Sequence, residues 1–202
     1  MRSKTAFLVI ILASVLAASG GAKAPMVAEK APDFTLTDID GNAFTLSDHR
    51  GKVVLIDFCW TRAGYCIQMQ DVLKEVRNTF TEEDLVIISI FIGDEDTDDD
   101  IRDFRTLHGG NWTYAGDRQN LTESYRVYAI PTEFVVDVNG YIHYDNTGTT
   151  TAGKLSDEIE EAKTGYAPPE PEIPYALIAL VLMVVVGVVS GTVVALLWRG
   201  RG

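Results

Sequence analysis

From Tyr175 to Trp198 the chain carries no charged side chain and is rich in Val, Leu, Ile and Ala. Coiled as a helix at about 1.5 Å per residue, that run reaches roughly 36 Å, enough to cross a ~30 Å hydrocarbon core with some tilt. The pattern predicts a transmembrane helix over 175–198. Arg199 and Arg201 follow at once, and the positive-inside rule assigns the 199–202 tail to the cytoplasm. At the other end, Arg2 and Lys4 precede an uncharged run from Thr5 to Ala22 that closes on Ser19, Gly20, Gly21 and Ala22. This reads as a secretory signal peptide over 1–24, with an uncleaved N-terminal anchor as the alternative. Either way, the folded part is expected outside the cytoplasm. A linker over 165–174 contains Pro168, Pro169, Pro171 and Pro174, which forbid a continuous helix and favour an extended spacer.

What lies between, residues 29–164, has the length of one domain. The chain's 17 Lys and Arg against 29 Asp and Glu leave a net charge of -12, which argues against nucleic acid as a partner. Phosphate backbones are held by clustered cations. With 47% apolar and 23% charged residues, the composition is that of a folded chain rather than a disordered one. Cys59 and Cys66 are its only cysteines, too few for a disulfide scaffold. They form either one bridge or a reactive pair. The sequons at Asn111 and Asn120 suit an exterior face.

Periodicity gives an order of elements. Phe34–Leu36 and Phe44–Leu46 alternate around Asp40-Gly41, as in a short hairpin. Residues 52–58 contain Val53-Val54-Leu55-Ile56, a strand with no polar face and hence one buried on both sides. From Gly64 to Phe80 the apolar residues recur at three and four, the spacing of an amphipathic helix. A second buried strand follows over 85–91. The acidic stretch 94–100 leads into a helix ending near Leu107, its carboxylates favourably placed at the positive helix start. It lacks the Asp-x-Asp-x-Asp-Gly loop of a dedicated calcium site. Strands over 133–137 and 141–145 flank Asn139-Gly140, and a last helix spans 152–163. The expected class is α/β with a mixed sheet.

The residues then become specific. Ala31-Pro32-Asp33-Phe34-Thr35-Leu36, Asp40-Gly41 and Gly51-Lys52-Val53-Val54-Leu55-Ile56-Asp57-Phe58 resemble the opening of thioredoxin-like proteins of the TlpA/ResA and AhpC/TSA redoxin group. Trp112-Thr113-Tyr114, Tyr125-Arg126-Val127, Ile130-Pro131-Thr132 and Phe134-Val135-Val136-Asp137 match the second half. The resemblance implies a thioredoxin-like fold with an N-terminal hairpin extension, and thiol–disulfide exchange with protein thiols or disulfides outside the cytoplasm. It implies neither cofactor nor metal. It further implies a cis bond before Pro131, beside the active site.

The site departs from that pattern. Where the family has Phe-Trp-Ala-Thr-Trp-Cys-x-x-Cys, this chain reads Phe58-Cys59-Trp60-Thr61-Arg62-Ala63-Gly64-Tyr65-Cys66. Cys66 falls on the resolving cysteine, Ala63 on the nucleophile and Cys59 on a tryptophan. Exchange needs an exposed thiolate and a second thiol to resolve the mixed disulfide, and Ala63 is neither. Three readings stay open: Cys59 and Cys66 are a rearranged redox pair, a structural clip, or inert core thiols. Asp57 matches the buried proton-transfer carboxylate of thioredoxins, with a strand-end carboxylate lacking catalytic duty as the alternative. Trp60, Tyr65, Ile130 and Pro131 would form the contact surface for a protein substrate. Without a catalytic first cysteine, a redox-inactive binding or chaperone module is the competing function. The scattered His49, His108 and His143, with no Cys-x3-Cys pair, argue against a copper site.

Overall fold

The computed structural model describes residues 28–168. The signal segment, most of the linker and the span expected over 175–198 lie outside the described residues. Among those described, no helix is long and apolar enough to cross a membrane.

Two short strands, β1 (Thr35–Thr37) and β2 (Ala43–Thr45), pair antiparallel as the expected hairpin, and a single 3-10 turn follows at Leu46–His49. Then come β3 (Val53–Cys59), α1 (Gly64–Thr79), β4 (Leu85–Phe91), α2 (Asp98–His108), β5 (Thr113–Gly116), α3 (Leu121–Ser124), β6 (Thr132–Val136), β7 (Ile142–Thr147) and α4 (Ala152–Ala162). The main sheet has the order β5-β4-β3-β6-β7. β3 runs parallel to β4 and antiparallel to β6, so the sheet is mixed. β5 and α3 are additions to the order read from the sequence. β5 is an edge strand held by its parallel pairing with β4, and α3 is one turn between Asn120 and Arg126, both at positive φ.

β3 is buried along its whole length, as a run without a polar face requires. Its alternate residues serve different cores. Val54, Ile56 and Phe58 pack with Phe34, Leu46, Tyr125 and Phe134 on the hairpin side. Val53 and Leu55 pack on the other side against Met69 and Leu73 of α1 and Leu155 and Ile159 of α4. Asp57 and Cys59 continue that second row, so both are aimed at the side covered by α1.

The hairpin between β6 and β7 turns at Gly140, with a φ of +89° that glycine adopts without strain. Asp137 organises this turn, its Oδ1 accepting from the N–H groups of Asn139 (2.9 Å) and Tyr141 (2.8 Å). Its Oδ2 accepts the N–H of Tyr166, whose ring packs edge-on to Tyr141 with centroids 4.9 Å apart. The linker is thus fastened at one end of β6, and Thr132 stands at the other.

The acidic stretch closes into α2 through a reciprocal cap. Thr97 Oγ1 accepts from the Asp100 N–H at 3.2 Å, and Asp100 Oδ2 accepts from the Thr97 N–H at 2.9 Å. Replacing Thr97 by Ala orphans a helix-start donor, and the expected loss is about 1 kcal/mol of unfolding free energy, read from the shift in urea midpoint at constant m.

Candidate functional site

The turn between β3 and α1 carries the altered motif. Ala63 is the N-cap of α1 and offers no side-chain cap; its N–H donates to the Trp60 carbonyl at 3.1 Å, which closes the turn. Asp96, almost wholly buried, holds the turn from the β4–α2 loop. Its Oδ1 accepts the Thr61 hydroxyl at 2.6 Å and its Oδ2 the Thr61 N–H at 3.2 Å. The Trp60 indole lies over Gly93, where an added Cβ would meet the ring at 2.4 Å. Trp60 is 37% exposed and Tyr65 65%, so two of the four contact candidates reach the surface, whereas Ile130 is half-buried and Pro131 buried.

Both cysteines are fully buried and unbridged. They share one apolar cluster with Ile39, Phe91, Ile101, Phe104 and Tyr114, against which Ala63 and Ile130 pack from the rim. Cys66 Sγ accepts the Trp60 N–H at 3.3 Å. Burial pushes the Cys59 thiol up, and the neighbouring Cys66 thiol and Asp57 carboxylate push it further. The strand-to-helix turn therefore brings the two sulfurs together, and it holds Cys59 as a neutral thiol. Ile130-Pro131 is cis and leads directly into β6, whose Thr132 pairs with Phe58. The cis bond expected beside the motif is present.

Beneath the thiols lies a polar network that sequence reasoning saw only in part. Asp57 is fully buried, and its Oδ2 accepts from Ser89 Oγ at 2.9 Å and Gln70 Nε2 at 3.1 Å. Tyr114 donates its hydroxyl to Gln70 Oε1 at 3.2 Å, and the Trp112 indole N–H reaches Ser89 Oγ at 3.1 Å. Burial raises the Asp57 carboxyl to about 6 against the pull of these two donors. Directly across the ladder stands Glu133, also fully buried, with Oε2 accepting from Asn146 Nδ2 at 3.0 Å. Burial raises it to about 8, Asn146 opposes that, and the Asp57 charge adds to it. Glu133 was legible only as the first residue of a strand. The available signal was a carboxylate inside the otherwise apolar and β-branched run of β6.

Such a site, a cysteine-bearing strand-to-helix turn facing a cis-proline on a mixed sheet, defines the thioredoxin-like redoxin class. The comparisons agree. The AhpC/TSA family matches residues 27–145, and the chain belongs to it. It is 30% identical over 138 residues to the thiol-disulfide oxidoreductase ResA of Geobacillus kaustophilus, covering 68% of this chain and 78% of that one. It is 24% identical over 132 residues to the thioredoxin-like protein YneN of Bacillus subtilis, covering 65% and 78%. A thiol:disulfide interchange protein of the thioredoxin family from Chlorobium tepidum TLS superposes with a TM-score of 0.63 at 18% identity, over 69% of this chain and 99% of that chain, a likeness of fold.

The two raised carboxyls make stability fall with pH. Each keeps its proton in the fold above the pH at which it ionises in the unfolded chain, so the folded state binds more protons and loses ground as pH rises. For Asp57 the window runs from 3.8 to about 6, and for Glu133 from 4.5 to about 8. Denaturant midpoints should decline from pH 5 to pH 8 in the parent. In Glu133→Gln the decline should end near pH 6, leaving that variant the more stable protein at pH 8.

Proposed function

We propose that this is a membrane-anchored, extracytoplasmic thioredoxin-like protein that performs thiol–disulfide exchange through Cys59 and Cys66. The supporting observation is their geometry, two buried and unbridged thiols in one apolar cluster, with Asp57 on the same face of β3 as Cys59. The domain spans 29–164, and the uncharged 175–198 run is its anchor after signal removal, with 199–202 inside. Tyr166, at the start of the linker, is held at the β6–β7 hairpin, the end of β6 remote from Thr132.

The exchange balances as follows. One thiol, Cys66 by virtue of the Trp60 N–H on its sulfur, gives its proton to Asp57 and attacks one sulfur of a partner disulfide. The partner's other sulfur leaves and takes a proton. Cys59 then attacks the mixed disulfide, forming the Cys59–Cys66 bond and releasing the second partner thiol with the remaining proton. Trp60, Tyr65, Ile130 and Pro131 border the path by which the partner chain approaches, and opening of the 60–66 turn admits its sulfur.

Complete burial of both sulfurs favours a second reading, a redox-inactive module that binds protein at the exposed Trp60 and Tyr65. Thiol alkylation with mass measurement, before and after reduction, separates the two. The exchange reading expects a mass two hydrogens lighter after incubation with a disulfide-bearing protein, reversed by dithiothreitol and absent in Cys59→Ala. It also expects Ala63→Cys to raise the rate by at least about tenfold, because the helix start favours a thiolate and Cys66 remains to resolve it. A parent that stays fully reduced throughout supports the binding reading. For the anchor, protease added to intact cells should digest the domain; survival there with cleavage only after lysis would overturn the topology.

A further inference from the structure

The antiparallel register sets Asp57 directly opposite Glu133, both on the face covered by α1 and α4. Side chains so paired have Cβ atoms about 5 Å apart. Each carboxyl has one satisfied oxygen, Asp57 Oδ2 with Ser89 and Gln70, Glu133 Oε2 with Asn146. The other two, Asp57 Oδ1 and Glu133 Oε1, are buried without any partner among the described residues. No ion pair reaches either carboxyl there.

The groups facing the pair complete the picture. β4 contributes Ser89, α1 contributes Gln70 and Cys66, β3 contributes Cys59, and β7 contributes Asn146. Tyr114 of β5 stands one hydrogen bond away through Gln70. The buried residues of α4 are Leu155, Ile159 and Ala162, all without charge. The environment therefore supplies donors to one oxygen of each acid and no cation to either. Two carboxylates at this separation in a dry site cannot both ionise cheaply, and a proton held between the orphaned oxygens satisfies both.

We propose that Asp57 and Glu133 act as one buried acid, holding a single proton between Oδ1 and Oε1 at neutral pH and taking up the proton released when a thiol of the Cys59–Cys66 pair ionises. The thiol half of this rests on the exchange reading above; the shared proton does not. Asp57, on the same face of β3 as Cys59, is the member that meets the thiols. Glu133 is a positioning residue that acts through Asp57. Burial is the main cause of both raised acidities, and the Asp57 charge adds to that of Glu133.

Infrared titration of the full chain in detergent micelles tests the shared proton. Surface carboxyls are ionised well below pH 6. A carbonyl stretch of un-ionised carboxylic acid should survive above pH 6 and disappear in a step near pH 8. Glu133→Gln should lack that step. Asp57→Asn should keep it with a midpoint lower by about one unit, a tenfold stronger acid, because the neighbouring charge is gone. Loss of all acid carbonyl absorption by pH 6 in the parent overturns the proposal, and this measurement needs no variant to fold. An unmoved midpoint in Asp57→Asn overturns it equally.

The pH profile of internal disulfide formation tests the coupling. The parent should show a break near pH 8 that Glu133→Gln lacks, with the lower break near pH 6 kept. Superimposable profiles overturn the coupling. If the parent forms no disulfide while the infrared step behaves as described, exchange and coupling fail together and the shared proton stands.

Discussion

Asp57 Oδ2 receives hydrogen bonds from β4 through Ser89 and from α1 through Gln70. The carboxylate sits at full burial in the central strand, so these two bonds tie strand, neighbouring strand and covering helix together at one atom. Leaving that oxygen unsatisfied would cost the desolvation of a charged acceptor, more than an ordinary hydrogen bond returns. The register of α1 against β3 is therefore set from the polar point, and the apolar contacts of Leu55, Met69 and Leu73 follow it. Cys66 lies one helical turn before Gln70 on the same face of α1. Fixing Gln70 on Asp57 thus also fixes Cys66 beside Cys59.

The same burial governs the chemistry of the pocket. With no cation to offset desolvation, Asp57, Glu133 and Cys59 all shift toward their neutral forms. A helix start ordinarily favours a thiolate, but the residue at that position is Ala63, and the sulfurs lie deeper. Reactivity here depends on where a proton can go. Asp57 and, across the ladder, Glu133 are raised toward neutral acidity, and each retains an open oxygen.

Much of this architecture is written locally in the chain. The apolar run of β3, the three-four spacing of α1 and the Asn139-Gly140 turn each give their element to within a residue or two, because each is set by burial of its own face or by its own backbone. β5 is different. Thr113–Gly116 is four residues ending on glycine, and its strand character comes from pairing with β4 across the whole of α2. The cis Ile130-Pro131 was legible only through family resemblance, since nothing in the dipeptide itself demands it. Glu133 was missed for a physical reason. Its meaning lies in standing opposite Asp57, and register across an antiparallel ladder cannot be read from either strand alone.

The acidic stretch shows how one segment serves two ends of the site. As bare sequence it invites a cation, yet most of its carboxylates are already engaged. Asp100 caps α2 with Thr97, Asp96 turns inward to hold Thr61, and Asp98 pairs with Arg118. Gly93 lies between Asp96 and Trp60, where an added Cβ would meet the Trp60 ring at 2.4 Å and Asp96 Oδ2 at 2.6 Å. Glu95 meets Arg62 at the surface, a contact worth little in stability because both are solvated. The buried Asp96–Thr61 bonds carry the constraint instead. They hold the 60–63 turn over the thiols, so the cover above Cys66 depends on the β4–α2 loop as much as on α1 itself.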